Sequence, residues 1–137
     1  MSGPIEVLLV EDNLGDVVLI RQSLANFPVR VNLHIARDGE QAVSMLAKAH
    51  FDSDLIILDL NIPKIPGLEI LERLRNTVAP PIVIFSSSTD EAEIRRTLEL
   101  GAREYVHKPL DMSAFMDAVV GMVKKWGMSE ASEATFA

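Results

Sequence analysis

With 137 residues, 48% hydrophobic and 24% charged, the chain has apolar material for one core and is expected to form one domain. Its formal net charge of −7 argues against nucleic acid as a partner, since phosphate binding needs a basic face, and suits a cation or a basic protein surface. It has no cysteine, hence no disulfide or thiol chemistry, and no signal-type N-terminus or apolar run near the roughly 20 residues of a membrane helix, so a cytoplasmic protein with no membrane partner is expected.

The first strand is read over Ile5 to Val10 and stops at Glu11-Asp12-Asn13, two acids at the end of an apolar run. A helix follows from about Leu14 to Ala25, with Val17, Ile20 and Leu24 at helical spacing and Phe27-Pro28 closing it. Val31 to Ala36 alternates as a strand with one wetter face, near a sheet edge, and Asp38-Gly39 turns into a short helix marked by Ala42, Val43, Leu46 and Ala47. Leu55 to Leu58 is an uninterrupted apolar run, expected to be a strand buried on both faces. It ends at Asp59, and Asn61 and Pro63 force a loop.

Leu68, Ile70, Leu71 and Leu74 give the third helix its apolar side, to about Asn76, with Gly67 at or just before its start. Pro80-Pro81 leads into a fourth strand, Ile82 to Phe85, which ends in Ser86-Ser87-Ser88-Thr89. Ser88 and Glu91 have capping-box spacing for the fourth helix, and Gly101 is its expected stop. Glu104 to His107 is a short fifth strand ending at Lys108-Pro109. Asp111 caps a last helix whose stripe runs through Met112, Phe115, Met116, Val119, Val123 and Trp126, and residues 128–137 are expected to form a flexible C-terminal tail after a domain of residues 1–127.

Strand and helix alternate five times, which predicts an α/β fold, a doubly wound parallel sheet with helices on both faces. Ligands of such sheets sit outside the carboxyl ends of the strands, where Glu11, Asp12, Asp59, Ser86 and Lys108 all fall. Singly these residues read as caps, loops and a solvated turn lysine; it is their convergence on one rim that points to chemistry. Three crowded carboxylates call for a raised pKa or a hard cation, and Mg2+ fits. Asp59 beside such a cation can take a phosphoryl group as nucleophile, with Lys108 and Ser86 supplying charge and a hydroxyl to the transferred oxygens. His34, His50 and His107 have no metal-ligand spacing.

The ordered set Glu11-Asp12, Asp59, Ser86, Tyr105 and Lys108-Pro109 resembles the receiver domain of two-component response regulators, over about Ile5 to Trp126. The resemblance implies the flavodoxin-like (βα)5 fold with strand order 2-1-3-4-5. It implies Asp59 as phosphoacceptor, and Asp12 and Asp59 as Mg2+ ligands, with Glu11 acting through water and Asn61 through its backbone carbonyl. It further implies Ser86 and Tyr105 as the switch pair, Lys108 on the phosphoryl group, and a cis bond before Pro109. Val10-Glu11-Asp12-Asn13, Asp16, Leu19-Ile20, Leu58 to Lys64 and Trp126 are similar to the small regulators paired with bacterial phytochromes. Pro66, where an Asp is frequent, and Ser86, where Thr is more frequent, depart from the commonest pattern.

The function expected is a stand-alone regulator, phosphorylated by a sensor histidine kinase such as a bacteriophytochrome. It would signal through protein contacts on the face of the fourth helix, fifth strand and fifth helix. Trp126 is a candidate contact residue at the end of its helix, and a homodimer through the last two helices agrees with the resemblance. Two alternatives stand beside it: a phosphorylation-independent adaptor, and a phosphohydrolase with Asp59 as nucleophile. The second is disfavoured because Asn61 occupies the position where such hydrolases place a general acid.

Overall fold

Alternation along the strands divides the chain's apolar residues into two cores, one on each face of a single sheet. The computed structural model describes residues 3–48 and 52–128; His50 and residues 129–137 of the expected tail lie outside them. The strands are β1 (Ile5–Val10), β2 (Val31–Ala36), β3 (Leu55–Leu58), β4 (Ile82–Ser86) and β5 (Glu104–His107). The helices are α1 (Leu14–Leu24), α2 (Gly39–Leu46), α3 (Gly67–Leu74), α4 (Glu91–Glu99) and α5 (Met112–Met122), the last running into a π-helical turn, Val123–Gly127. All strand pairs are parallel in the order β2-β1-β3-β4-β5, the order that the family resemblance implies.

Val7, Leu9, Leu55, Ile57, Val83 and Phe85 face α1 and α5, where Val17, Ile20, Leu24, Phe115, Val119 and Met122 close the layer. Leu8, Val10, Ile56, Leu58, Ile82 and Ile84 face the other way, against Ala42, Ile70 and Leu71. A strand covered on both faces cannot alternate with polar residues, which is why β3 reads as a continuous apolar run and is buried throughout. Edge strand β2 is half-buried at five of its six positions, as its wetter face predicts. Among the described residues, no helix is long and apolar enough to cross a membrane.

Among the described residues, four of the five α-helices start on a side-chain cap, α3 being the exception. Asn13, Asp38 and Asp111 each accept from a backbone N–H in the first turn of the helix that follows. For α4 the cap is Asp90, accepting from Ala92 and Glu93 N–H at 2.9 and 3.2 Å, and not the expected Ser88. Ser88 Oγ accepts from Asp90 N–H instead, so the hydroxyl shapes the approach and the carboxylate, which also complements the helix dipole, caps the helix. Gly101, at φ 106°, ends α4 as expected. α3 stops at Leu74, short of Asn76, whose φ of 64° is left-handed and cannot continue a helix.

Trp126, the candidate contact residue, is half-buried. It packs against the α1/α5 core, its indole Nε1 donates to Glu104 Oε1 at 2.8 Å, and Lys125 Nζ lies 5.3 Å from its ring. A stripe read on the helix alone omits β5, which supplies the carboxylate that partners the indole.

Candidate functional site

Register brings the strand ends level. Val10 pairs with Leu58 and Leu58 with Ile84, so the next residues of β1 and β3 are Glu11 and Asp59, and Asp59 N–H closes on Val10 carbonyl at 3.0 Å. Lys108 N–H continues the ladder onto Ser86 carbonyl at 2.8 Å, which sets the lysine stem beside β4. The stem passes Phe85, whose ring centroid is 5.9 Å from the ammonium. Strand pairing therefore places the rim before any side chain chooses a partner.

The lysine ammonium is the hub. It donates to Glu11 Oε1 at 2.6 Å, to Asp59 Oδ2 at 2.8 Å and to Asp16 Oδ2 at 2.8 Å. Glu11 and Asp59 are buried, at 1% and 6% exposure, so these are desolvated charges. The other Asp59 oxygen, Oδ1, accepts from Asn61 N–H at 3.1 Å, so the loop after β3 also orients the carboxylate. Asp12 completes a group with Glu11 and Asp59 whose oxygens all lie within 4.8 Å of one another. Three carboxylates thus share one ammonium, and Asp12 stands beside two of them. Burial would depress the Lys108 pKa, but the hydrogen bonds it donates to Asp16, Asp59 and Glu11 outweigh it and hold it above the usual lysine value.

Glu11 feels its burial more than its ammonium partner. Burial pushes its carboxyl up to about 7; the hydrogen bond from Lys108 opposes the rise and the charge on Asp59 adds to it. In an unfolded chain the same group titrates near 4.5, so between that pH and 7 the folded state keeps a proton that the unfolded state has lost. The resulting penalty is absent below the window, grows as pH rises through it and is complete above it. In metal-free buffer, Glu11→Gln should therefore gain on the wild type between pH 4.5 and 8, by on the order of 2 kcal/mol in urea melts. A stability difference that does not move with pH would contradict this.

The switch candidates sit across the rim. Ser86 is fully buried at the end of β4, with its Oγ 3.5 Å from Ser88 N–H. The Tyr105 hydroxyl donates to Ser88 carbonyl, and burial raises its pKa. The ring packs partly buried against the core on the α2/α3 side. Among the described residues no peptide bond is cis, and the Lys108–Pro109 bond is trans, against the expectation from the resemblance. The trans isomer is the lower in energy by about 0.5–1 kcal/mol for an X–Pro bond, and Lys108 reaches all three of its carboxylates in it.

The rim residue that sequence reasoning left without a role is Asp16. It lies at the third position of α1, where a capping box would turn its carboxylate back to the Asn13 N–H. Glu11 Oε2 takes that N–H instead, at 3.2 Å, and the Asp16 carboxylate goes to Lys108. The capping-box spacing of Asn13 and Asp16 was the available signal, and it points to the wrong partner because the lysine lies 92 residues away in the chain.

Comparison with known proteins agrees with this geometry. Residues 7–120 match the response regulator receiver domain family. Among curated relatives, the transcriptional regulatory protein CpxR of Klebsiella pneumoniae is 30% identical over 130 residues, 95% of this chain and 54% of that protein. The chain spans about half the length of the curated relatives that it matches. Among solved structures, the phosphorylated cyanobacterial phytochrome response regulator RcpA superposes with a TM-score of 0.84 at 32% identity, covering 90% of this chain and 94% of that one. The Mn2+-bound form of response regulator Rcp1 superposes with a TM-score of 0.83 at 28% identity, covering 92% and 96%. The small phytochrome-associated regulators are thus among its structural neighbours, and the chain belongs to the response regulator receiver domains.

Proposed function

We propose that Asp59 accepts a phosphoryl group from a sensor histidine kinase, and that a phytochrome-bearing kinase is the first candidate donor. The observation that carries this reading is the Asp59 carboxylate, buried on a rigid strand end and fixed at both oxygens, with Lys108 Nζ 2.8 Å away. A lone pair of an Asp59 oxygen forms the new O–P bond as the P–N bond of a phosphohistidine breaks. The imidazole nitrogen keeps that bond's electron pair and takes a proton from solvent. Lys108 meets the negative charge of the transferred group, and the Ser86 hydroxyl donates to one of its oxygens. The likeness to RcpA, a phosphorylated phytochrome regulator, supports the choice of donor.

The donor set fits a hard divalent cation: the carboxylate oxygens of Glu11, Asp12 and Asp59 lie within 4.8 Å of one another, and burial with the neighbouring Asp59 charge pushes the Glu11 carboxyl up. Asp12 and Asp59 would hold Mg2+ directly, Glu11 through water and Asn61 through its carbonyl; that Rcp1 has a Mn2+-bound form supports a divalent ion here. When bound, the ion supplies neutralising charge to the phosphoryl oxygens. Asn61 offers no general acid beside Asp59, which favours a stable acceptor that loses its phosphate slowly over an enzyme turning over external substrates.

Output would follow from a two-state equilibrium at Ser86 and Tyr105, biased when the Ser86 hydroxyl turns to the phosphoryl group, and would pass through protein contacts, in keeping with the acidic charge. Beryllofluoride with Mg2+, a stand-in for the acyl phosphate, should shift the amide resonances of Ser86 and Tyr105. Unchanged resonances at both would overturn the switch.

A further inference from the structure

The Lys108 ammonium has three N–H donors, and Glu11, Asp59 and Asp16 take all of them. Glu11 and Asp59 belong to the carboxylate trio with Asp12; Asp16 stands outside it. A carboxylate oxygen that turns to a divalent cation is a weaker partner for an ammonium, and the cation itself repels the ammonium. Two of the three contacts that hold Lys108 in place are therefore shared with the ion. The third is not. Asp16 is carried on α1, its N–H fixed to Asn13 Oδ1 at 3.0 Å, and its carboxylate is released from capping because Glu11 takes the Asn13 N–H.

Resting on the reading of Asp59 as phosphoacceptor, we propose that Asp16 is a positioning residue. It keeps Lys108 Nζ beside Asp59 while Glu11 and Asp59 engage a divalent cation, so that the ammonium is in place when the phosphoryl charge arrives. Without it the long lysine stem is free to swing toward solvent, and the phosphoryl group meets a site short of one donor.

The test separates rate from metal affinity. Phosphorylation by acetyl phosphate is followed over a Mg2+ titration for wild type, Asp16→Asn and Asp16→Ala. The maximal rate constant should fall by roughly tenfold in Asp16→Ala and by less in Asp16→Asn, whose amide oxygen can still accept, while the half-saturating Mg2+ concentration moves by less than about threefold. Maximal rates within twofold of wild type, a faster variant, or an effect confined to half-saturation would overturn the proposal. If Asp16→Ala fails to fold, Asp16→Asn decides.

A second readout needs no phosphoryl transfer. In the Mg2+-loaded wild type the Lys108 ammonium should give a slowly exchanging 15N-coupled resonance that Asp16→Ala loses; its survival in the variant overturns the proposal. Should the wild type take no phosphoryl group while this resonance behaves as expected, the reading of Asp59 fails and the anchoring of Lys108 by Asp16 stands.

Discussion

Lys108→Met should lower the stability of the metal-free protein by about 3 kcal/mol at pH 8, a fall of about 10 °C in Tm. Methionine replaces the stem with a side chain of similar length, so packing against Phe85 is largely kept and the charge is what is lost. The variant leaves Glu11 and Asp59 buried without their ammonium, and an unpaired buried charge cannot recover its solvation. Glu11 has an escape, since its carboxyl already titrates near 7 and takes up a proton more readily still once the lysine is gone. The loss should therefore shrink at pH 5.5. Mg2+ should also restore part of it, because a cation on the carboxylate trio supplies the missing positive charge. Urea melts in chelator and in Mg2+, at both pH values, check all three statements. A variant as stable as wild type at pH 8 in chelator would show that the lysine does not hold the rim together.

Gly39→Ala should cost about 3 kcal/mol, at the upper end for overpacking. A Cβ at Gly39 falls inside the contact distance of the Ile65 carbonyl oxygen and 2.5 Å from Ile65 Cβ. These are atoms of the loop after β3, which cannot retreat cheaply. Pro63 and Pro66 bracket it, Gly39 N–H is bonded to Pro63 carbonyl at 3.0 Å, and Lys64 already holds a left-handed φ of 72°. The same loop carries Asn61, whose N–H orients Asp59, so the variant should also accept phosphate more slowly. Gly121→Ala is the contrasting case. It lies inside α5 with nothing within 4 Å of an added Cβ, and should stabilise by about 0.5–1 kcal/mol through helix propensity. Thermal melts of the two variants should move in opposite directions; equal shifts would mean that the Gly39 contact is not limiting.

What was legible in the sequence follows from where burial is two-sided. β3 and β4 are covered on both faces, so their apolar runs are unbroken and the polar residue that ends each run marks the rim. Asp59, Ser86, Glu11 and Lys108 could be placed there from the alternation of strand and helix, because parallel strands present their carboxyl ends together. What could not be read were partners chosen across long sequence separations. Asp16 pairs with Lys108 and Trp126 with Glu104, and neither pair leaves a local pattern. The cap of α4 was misassigned because Ser88 and Asp90 both suit the position by residue type, and only the backbone decides which side chain faces the free N–H groups. The isomer at Pro109 was inferred from resemblance, and no local feature of the chain specifies it.

The most direct test of the central claim is intact mass after incubation with acetyl phosphate, for wild type and Asp59→Asn, with Mg2+ and with chelator. The wild type should gain one phosphoryl group in Mg2+ only, and the variant none. An adduct that survives in Asp59→Asn, or that forms equally well in chelator, would contradict the assignment of Asp59 as the acceptor in a cation-dependent transfer.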